Sequence, residues 1–230
     1  MSSPVSGSFT LREITFKVVG LPQRDNSLSS LIDIADTIFG NPEANGIPHD
    51  VYDGEFYYHY VPDTAIVNAV SGKTIVGKTL HFNASVALAN QGYFEEVFQI
   101  SVYANGTLVA LQNIVLVGNA SVPASLRCNT SALSYGNYAL SVHVTPVFGE
   151  TEIADNTYPC GTILVTIPGD VNGDGKVNVL DLISIAVHLG HKNGDGHTPQ
   201  SSDWWKCMNA DLTNDGAINV LDLILCANYL

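Results

Sequence analysis

Two stretches near the carboxyl end decide how this part of the chain folds: Asp170–Leu189, DVNGDGKVNVLDLISIAVHL, and Asp211–Leu230, DLTNDGAINVLDLILCANYL. Aligned at an offset of 41 residues, they share eleven identities in twenty positions, including the run Val-Leu-Asp-Leu-Ile. Internal similarity of this extent indicates a duplicated structural unit. We therefore predict two equivalent loop-helix units within residues 168–230.

Each copy has oxygen-bearing side chains at positions 1, 3, 5, 9 and 12 of a twelve-residue loop, and a glycine at position 6. Calcium needs about six to eight oxygen ligands, which a short loop supplies by turning alternate residues inwards, and this spacing is that of an EF-hand loop. An Asx-rich turn without metal is the alternative for a single copy, and the tandem arrangement disfavours it. One ion in each loop gives two calcium ions, with position 7 contributing its backbone carbonyl. The predicted ligands of the first copy, loop 1, are Asp170, Asn172, Asp174, Lys176, Asn178 and Asp181, and those of the second, loop 2, are Asp211, Thr213, Asp215, Ala217, Asn219 and Asp222.

An apolar segment with helical spacing follows each loop, represented by Leu180, Ile183 and Val187 in the first copy and by Leu221 and Ile224 in the second. Helices this short are not stable alone in water. Calcium binding and helix formation are therefore expected to be coupled.

Both loops end in Asp rather than the usual EF-hand Glu, and each is followed by one helix instead of lying between two. In these features residues 168–230 resemble dockerins, calcium-binding modules that dock enzymes and surface proteins onto cohesin domains. The resemblance implies two antiparallel loop-helix units and a cohesin-like protein domain as the partner. At loop positions 10 and 11, where dockerins often have Ser-Thr, this chain has Val179-Leu180 and Val220-Leu221. The departure implies an apolar partner-binding face, and a cellulosomal cohesin is not assumed.

Residues 61–167 show the short alternating pattern of β-strands separated by Gly, Asn and Pro. Asn105-Gly106 between two apolar runs predicts a hairpin turn, and Tyr138 near the start of a late strand predicts a tyrosine corner. The pattern favours an Ig-like β-sandwich. Segments such as Ala89-Asn90-Gln91-Gly92 and Gly136-Asn137-Tyr138 resemble the CARDB domain, an Ig-like sandwich of microbial surface proteins. The predicted fold class is thus mainly β, with a small α-helical module at the end.

Residues 1–60 are predicted to be a β segment. Leu28–Phe39 fits a helical stripe or a strand from its residues alone. The runs Gly7–Leu11, Asn45–Pro48 and Val51–Phe56 resemble the closing strands of a cohesin, and that resemblance implies a strand. A whole cohesin is longer, so the segment is expected to be partial.

Four cysteines and four glycosylation sequons favour an exported chain. The simplest pairing puts one disulfide in the middle of the chain, Cys128 with Cys160, and one near its end, Cys207 with Cys226; buried thiols are the alternative. The asparagines of the four sequons are Asn83, Asn105, Asn119 and Asn129.

The formal net charge of −13 over 230 residues disfavours nucleic acid as a partner. No apolar run approaches the ~20 residues of a membrane span, and the first residues lack the features of a signal peptide. We expect a secreted or cell-surface location.

No sequence motif indicates a nucleophile with its base, and acidic neighbours such as Glu95-Glu96 or Glu150 and Glu152 are interpreted as exposed residues rather than a glycosidase pair. The expected function is therefore adhesion or scaffolding without catalysis, and self-assembly between copies is one form of it. Two alternatives stay open: the non-catalytic tail of a secreted polysaccharide-degrading enzyme, and a structural subunit of a surface layer or filament.

Overall fold

The computed structural model describes residues 27–32, 54–59, 61–193 and 204–230. The chain divides into two compact units, Met1–Tyr60 and Val61–Leu230. The second unit contains both the predicted sandwich and the repeat. The predicted boundary between those two parts, at residues 167 and 168, stays a prediction.

The first unit has two described strands, β1 (Ser27–Ile32) and β2 (Gly54–His59), which pair antiparallel with Ser27 opposite His59. The strand interpretation of Leu28–Phe39 therefore holds up to Ile32, while residues 33–39 lie outside the described residues. The cohesin-like resemblance of residues 1–60 stays a prediction.

The second unit begins with a β-sandwich of two sheets. Its strands are β3 (Thr64–Ser71), β4 (Ile75–Gly77), β5 (His81–Asn90), β6 (Glu96–Ala104), β7 (Thr107–Leu116), β8 (Ala120–Asn129), β9 (Gly136–Val144) and β10 (Thr157–Thr166). One sheet has the order β4-β10-β9-β6-β7 and the other has the order β3-β5-β8. All neighbouring strands are antiparallel except β4 and β10, which are parallel.

Alternate residues of the strands fill the space between the sheets, as the period-two pattern predicts. On β5 these are Phe82, Ala84, Val86 and Leu88, all buried and in one core with residues of β6, β9 and β10. The core thus joins both sheets into one layered unit.

The predicted hairpin turn is confirmed. Asn105 and Gly106 form the two-residue connection between β6 and β7, with φ angles of 46° and 84°. Positive φ at both central residues belongs to the type I′ turn, whose twist matches that of the flanking strands.

The predicted tyrosine corner is also confirmed. The Tyr138 hydroxyl donates to the backbone oxygen of Ser134 and accepts from its backbone nitrogen, both at 3.0 Å. This side chain therefore ties the start of β9 to the loop that precedes it.

In the described residues after the sandwich, the α-helices are α1 (Val179–Ala186), α2 (Trp204–Cys207) and α3 (Val220–Ala227). Loops 1 and 2 precede α1 and α3, and the segment after α1 pairs with loop 2 through Gly190 N to Ile218 O at 2.8 Å. A second apolar core holds this part together, formed by Val171, Ile185, Cys207, Ala210, Leu212, Ile218 and Cys226. Among the described helices, none has the length and apolarity that a membrane span requires.

Candidate functional site

The two loops have matching backbone conformations. At position 6, Gly175 and Gly216 have φ angles of 81° and 83°. At position 4, Gly173 has 78° and Asn214 has 59°, the left-handed region that glycine and asparagine adopt most readily. The duplication seen in the sequence is therefore a duplication of geometry, and the glycine at position 6 is required where the loop turns sharply.

Loop 1 is organised around the buried carboxylate of Asp170. One of its oxygens accepts from the backbone nitrogens of Gly173 and Asp174 at 2.7 and 3.1 Å. The other accepts from Gly175 N at 2.9 Å and from the Thr166 hydroxyl at 2.6 Å. Position 1 of the loop is thus fixed by the loop's own amides and by the last residue of β10.

Loop 2 brings its predicted side-chain ligands together directly. The Thr213 hydroxyl donates to Asp211 Oδ1 at 3.3 Å and to Asp222 Oδ1 at 3.0 Å. The Asn219 side-chain nitrogen donates to Asp215 Oδ2 at 3.1 Å. Side chains at positions 1, 3 and 12, and at positions 5 and 9, are therefore neighbours in space.

The residues at positions 9 and 12 also start the helices. Asn178 Oδ1 accepts from Leu180 N at 2.8 Å, and Asp181 Oδ2 accepts from Asn178 N at 2.9 Å. Asn219 and Asp222 repeat this arrangement before α3. Each pair forms a capping box, which satisfies amides that a helix N-terminus leaves unpaired. Sequence reasoning assigned these residues only as ligands, although the Asn-x-x-Asp spacing carries the signal for a cap.

The donor chemistry of both loops fits calcium. Asp170 and Asp211 are 2% exposed, and Asp181 and Asp222 are fully buried. A buried carboxylate is costly unless hydrogen bonds and positive charge compensate it. In loop 1, no described residue forms an ion pair with Asp170 or Asp181, so a cation held by this loop would supply the missing charge.

The other ligands also favour a hard cation. Carboxylate, amide, hydroxyl and carbonyl oxygens suit calcium and not the softer metals. The described residues contain no group of three His, Cys, Asp or Glu side chains close enough to hold a metal alone. Calcium here would thus also use Asn172, Asn178 and the Lys176 carbonyl in loop 1, and the equivalent donors in loop 2. The ligand assignment itself stays a prediction.

Two residues that the sequence analysis did not identify join loop 2 to the sandwich. Lys73, which is 3% exposed, donates from its ammonium group to the backbone oxygen of Asp211. Asn209 Oδ1 accepts from the backbone nitrogens of Thr74 and Ile75 at 3.0 and 3.1 Å. These contacts link residues more than 130 positions apart in the chain, so no local pattern indicates them.

Burial dominates the electrostatics of this junction. It lowers the pKa of Lys73, while the carboxylates of Asp211, Asp222 and Asp215 act in the opposite direction. Burial likewise raises the pKa of Asp211, which the Lys73 charge counteracts. Both charged groups are thus held away from water, and each partly compensates the other.

The residues predicted to bind a partner are exposed on both helices. The exposed fractions match between the copies: 61% and 60% for Val179 and Val220, and 55% and 54% for Leu180 and Leu221. Ile183 and Ile224 extend the surface, and a shallow apolar groove runs between α1 and α3, lined by Leu182, Ile183, Ala186, Leu223, Ile224 and Ala227. We call this surface the α1/α3 face. Its two halves carry the same residue types at equivalent positions.

The structure has thiols where the sequence analysis expected two disulfides. All four cysteines are buried, and neither the Cys128–Cys160 nor the Cys207–Cys226 bridge is formed. Sulfur atoms contact backbone oxygens instead, as in Cys226 Sγ to Gly169 O at 3.4 Å and Cys207 Sγ to Trp204 O at 3.5 Å. Burial raises the pKa of Cys128 to about 12 and that of Cys160 to about 11, so these groups are thiols at neutral pH.

The sequon asparagines lie on the sandwich surface. Asn105, Asn119 and Asn129 are exposed, while Asn83 is half-buried in a cleft that includes Lys73 and Trp204. Asn83 therefore lies outside the core, although loop 2 lies close to it.

Some of the acidic residues that were predicted to be exposed are buried or half-buried. Glu96 is 3% exposed. Glu150 accepts from Thr64 N at 2.8 Å and from Val147 N at 2.7 Å. The carboxylate of Glu150 therefore links the loop after β9 to the start of β3. This role could not be predicted from the local sequence, because Thr64 is 86 positions away. The other residue of that pair, Glu152, is exposed as expected.

The geometry defines a module of two loop-helix units with the donor set of calcium loops. Residues 168–230 match the family model of the dockerin type I domain. The carboxyl-terminal part of the chain is therefore a dockerin type I domain, a family whose members typically bind calcium. No curated protein shows significant similarity to the chain.

Several solved structures resemble the β region. A CARDB domain from Pyrococcus furiosus, crystallised in complex with di-metal ions, is 19% identical, with a TM-score of 0.38 over 47% of this chain and 97% of that one. A domain of a proposed cell-surface protein from Methanosarcina acetivorans is 22% identical, with a TM-score of 0.37 over 46% and 92%. A β-glucosidase from Listeria innocua is 10% identical, with a TM-score of 0.33 over 47% of this chain and 16% of that enzyme.

Proposed function

We propose that this chain is a calcium-dependent adhesion or scaffolding protein outside the cell, whose dockerin domain binds a cohesin-like domain through the α1/α3 face. The observation that carries the proposal is the exposure of six large aliphatic side chains at equivalent positions on two helices, each of which follows a predicted calcium loop: Val179, Leu180, Ile183, Val220, Leu221 and Ile224. Exposed apolar surface of this kind favours a protein partner.

Calcium acts on this face indirectly. The same Asn and Asp residues that would bind an ion in each loop also cap the helix that follows. Holding the loop therefore holds the first turn of the helix and the orientation of its apolar residues. Two calcium ions, one in each loop, are part of the proposal, and binding to the partner should require both.

Several features support a location outside the cell and a role without catalysis. The dockerin type I match and the sequons Asn83, Asn105, Asn119 and Asn129 are typical of exported proteins. The sandwich would serve as a spacer or adhesive body. If the cohesin-like resemblance of residues 1–60 holds, another copy of the chain is a candidate partner.

The test is binding of the whole chain to immobilised cohesin domains and to an immobilised copy of itself, measured by surface plasmon resonance. We expect binding in calcium and none in EGTA. Replacing Val179 and Leu180 by Asp should weaken binding, and adding Val220→Asp and Leu221→Asp should abolish it. Val115→Asp is the matched control because Val115 is 60% exposed on β7, away from the helices. Undiminished binding by the fourfold variant would contradict the proposed face.

A further inference from the structure

The two loops differ in one respect that their sequences do not reveal: a lysine of the sandwich reaches loop 2. Lys73 follows β3 and is 3% exposed, and its ammonium group donates to the backbone oxygen of Asp211, the first residue of the loop. The negative charges of Asp211, Asp222 and Asp215 all act on this group. One unit of positive charge is therefore fixed beside the carboxylates that would bind calcium.

In loop 1, the first residue contacts a neutral donor from the sandwich, at its carboxylate rather than at its backbone oxygen. The hydroxyl of Thr166 donates to Asp170 Oδ2 at 2.6 Å. Loop 1 does contain its own cation, Lys176 at position 7, but that residue is exposed and its charge is screened by water. Loop 2 has Ala217 at this position. The buried charge of Lys73 thus distinguishes the two sites.

The position of Lys73 is held by its surroundings. The next residues, Thr74 and Ile75, donate their backbone amides to Asn209 Oδ1. The Lys73 backbone nitrogen donates to the Ser71 hydroxyl at 3.3 Å, and that hydroxyl donates to the Lys73 carbonyl at 2.6 Å. These bonds fix the backbone of Lys73, and its ammonium group is buried against the first residue of loop 2.

We propose that Lys73 lowers the calcium affinity of loop 2, so that the two loops fill at different calcium concentrations. The inference rests on the proposed function, because it takes both loops to be calcium sites. A buried cation partly neutralises the ligands and repels an incoming divalent ion. Even at the dielectric of bulk water, a unit charge about 6 Å from a divalent ion changes its affinity by about tenfold, and a lower effective dielectric increases the change.

The test isolates loop 2 by the substitution Asp174→Ala, which removes an exposed ligand of loop 1. In that chain, Lys73→Gln removes the charge but keeps an N–H donor for the Asp211 carbonyl. We expect the dissociation constant for calcium, measured by calorimetry at constant ionic strength, to fall by about tenfold or more. Lys73→Arg keeps the charge and should keep the lower affinity.

Two controls separate a local effect from a change in net charge. Lys78→Gln removes a lysine from the same edge of the sandwich, where its ammonium group lies over the Tyr135 ring, and should leave the dissociation constant unchanged. In a chain with Asp215→Ala, which retains only loop 1 as a calcium site, Lys73→Gln should also have no effect. If Lys73→Gln does not fold, as judged by near-ultraviolet circular dichroism, Lys73→Met provides a second neutral variant.

The outcomes distinguish this inference from the function it rests on. Calcium binding in both loops with an unchanged dissociation constant after Lys73→Gln would overturn the inference alone, as would an equal change in both loops. Failure of the unsubstituted chain to bind calcium at millimolar concentration would overturn the proposed function and this inference together.

Discussion

Asn209 and Thr74 are joined by reciprocal hydrogen bonds between the dockerin domain and the sandwich. Asn209 Oδ1 accepts from the Thr74 backbone nitrogen at 3.0 Å, and the Asn209 side-chain nitrogen donates to the Thr74 hydroxyl at 3.0 Å. The same oxygen accepts from Ile75 N at 3.1 Å. One side chain thus satisfies two amides at the edge where β4 begins.

Asn209→Ala should therefore destabilise the chain by about 1–2 kcal/mol, since it leaves two backbone amides without this acceptor. The free energy of unfolding in urea measures the loss. Asn113→Ala is the control, because Asn113 is exposed and its side chain accepts a hydrogen bond from the Gln99 side chain in its strand pair. Equal stability of the two variants would contradict a structural role for Asn209.

Tyr138→Phe should lower the free energy of unfolding by about 1 kcal/mol, because it removes the hydroxyl that both donates to and accepts from Ser134. Tyr135→Phe, three residues earlier and 61% exposed, provides the control and should change little. Urea unfolding of both variants measures the difference. Equal free energies of unfolding for the two variants would contradict a stabilising role for the tyrosine corner.

Asp63→Asn is expected to stabilise the chain at neutral pH. Burial raises the pKa of Asp63, and the charges of Asp155, Glu150 and Glu152 raise it further. A carboxyl whose folded pKa lies above its unfolded value of 3.8 reduces stability as the pH rises through the folded pKa. The melting temperature of Asp63→Asn should thus exceed that of the parent at pH 7, and the gain should vanish as the pH falls towards 3.8.

Glu95→Gln is the control. Because Glu95 is exposed, this substitution should change the melting temperature little from pH 4 to 7. A gain for Asp63→Asn that persists at acid pH would mean that the charge of Asp63 is not its cause.

Removing calcium should unfold the helices of the dockerin domain and spare the sandwich. Both α1 and α3 have eight residues, and the residues that cap them are predicted ligands. Chelation with EGTA should reduce the helical circular dichroism signal, and added calcium should restore it. The β signal of the sandwich, whose core is separate from that of the helices, is expected to remain. Unchanged helicity in EGTA would show that the helices do not depend on the ions.

The parts of the structure that follow from neighbouring residues could be predicted. The alternation around Phe82, the Asn105-Gly106 turn and the position-6 glycines Gly175 and Gly216 are set by local backbone preferences. Helix capping by Asn178 and Asn219 had a local signal as well, but the metal-ligand interpretation of the same residues obscured it.

Contacts between distant residues could not be predicted. Lys73 and Asn209 gain their roles only when the dockerin domain packs against the sandwich, and nothing in their own sequence neighbourhoods indicates this. Glu150 was interpreted as exposed because its partner Thr64 is 86 positions away. The even number of cysteines indicated disulfides, yet in the folded chain the Cys226 sulfur instead contacts the Gly169 carbonyl.

The number of calcium ions bound by the whole chain tests the account most directly. Native mass spectrometry of protein equilibrated with millimolar calcium should find two ions for each chain, and one ion after either Asp174→Ala or Asp215→Ala, because each substitution removes an exposed ligand that is not part of the core. A chain that carries no calcium under these conditions, or one whose ion count is unaffected by both substitutions, would contradict the assignment of the two loops as calcium sites.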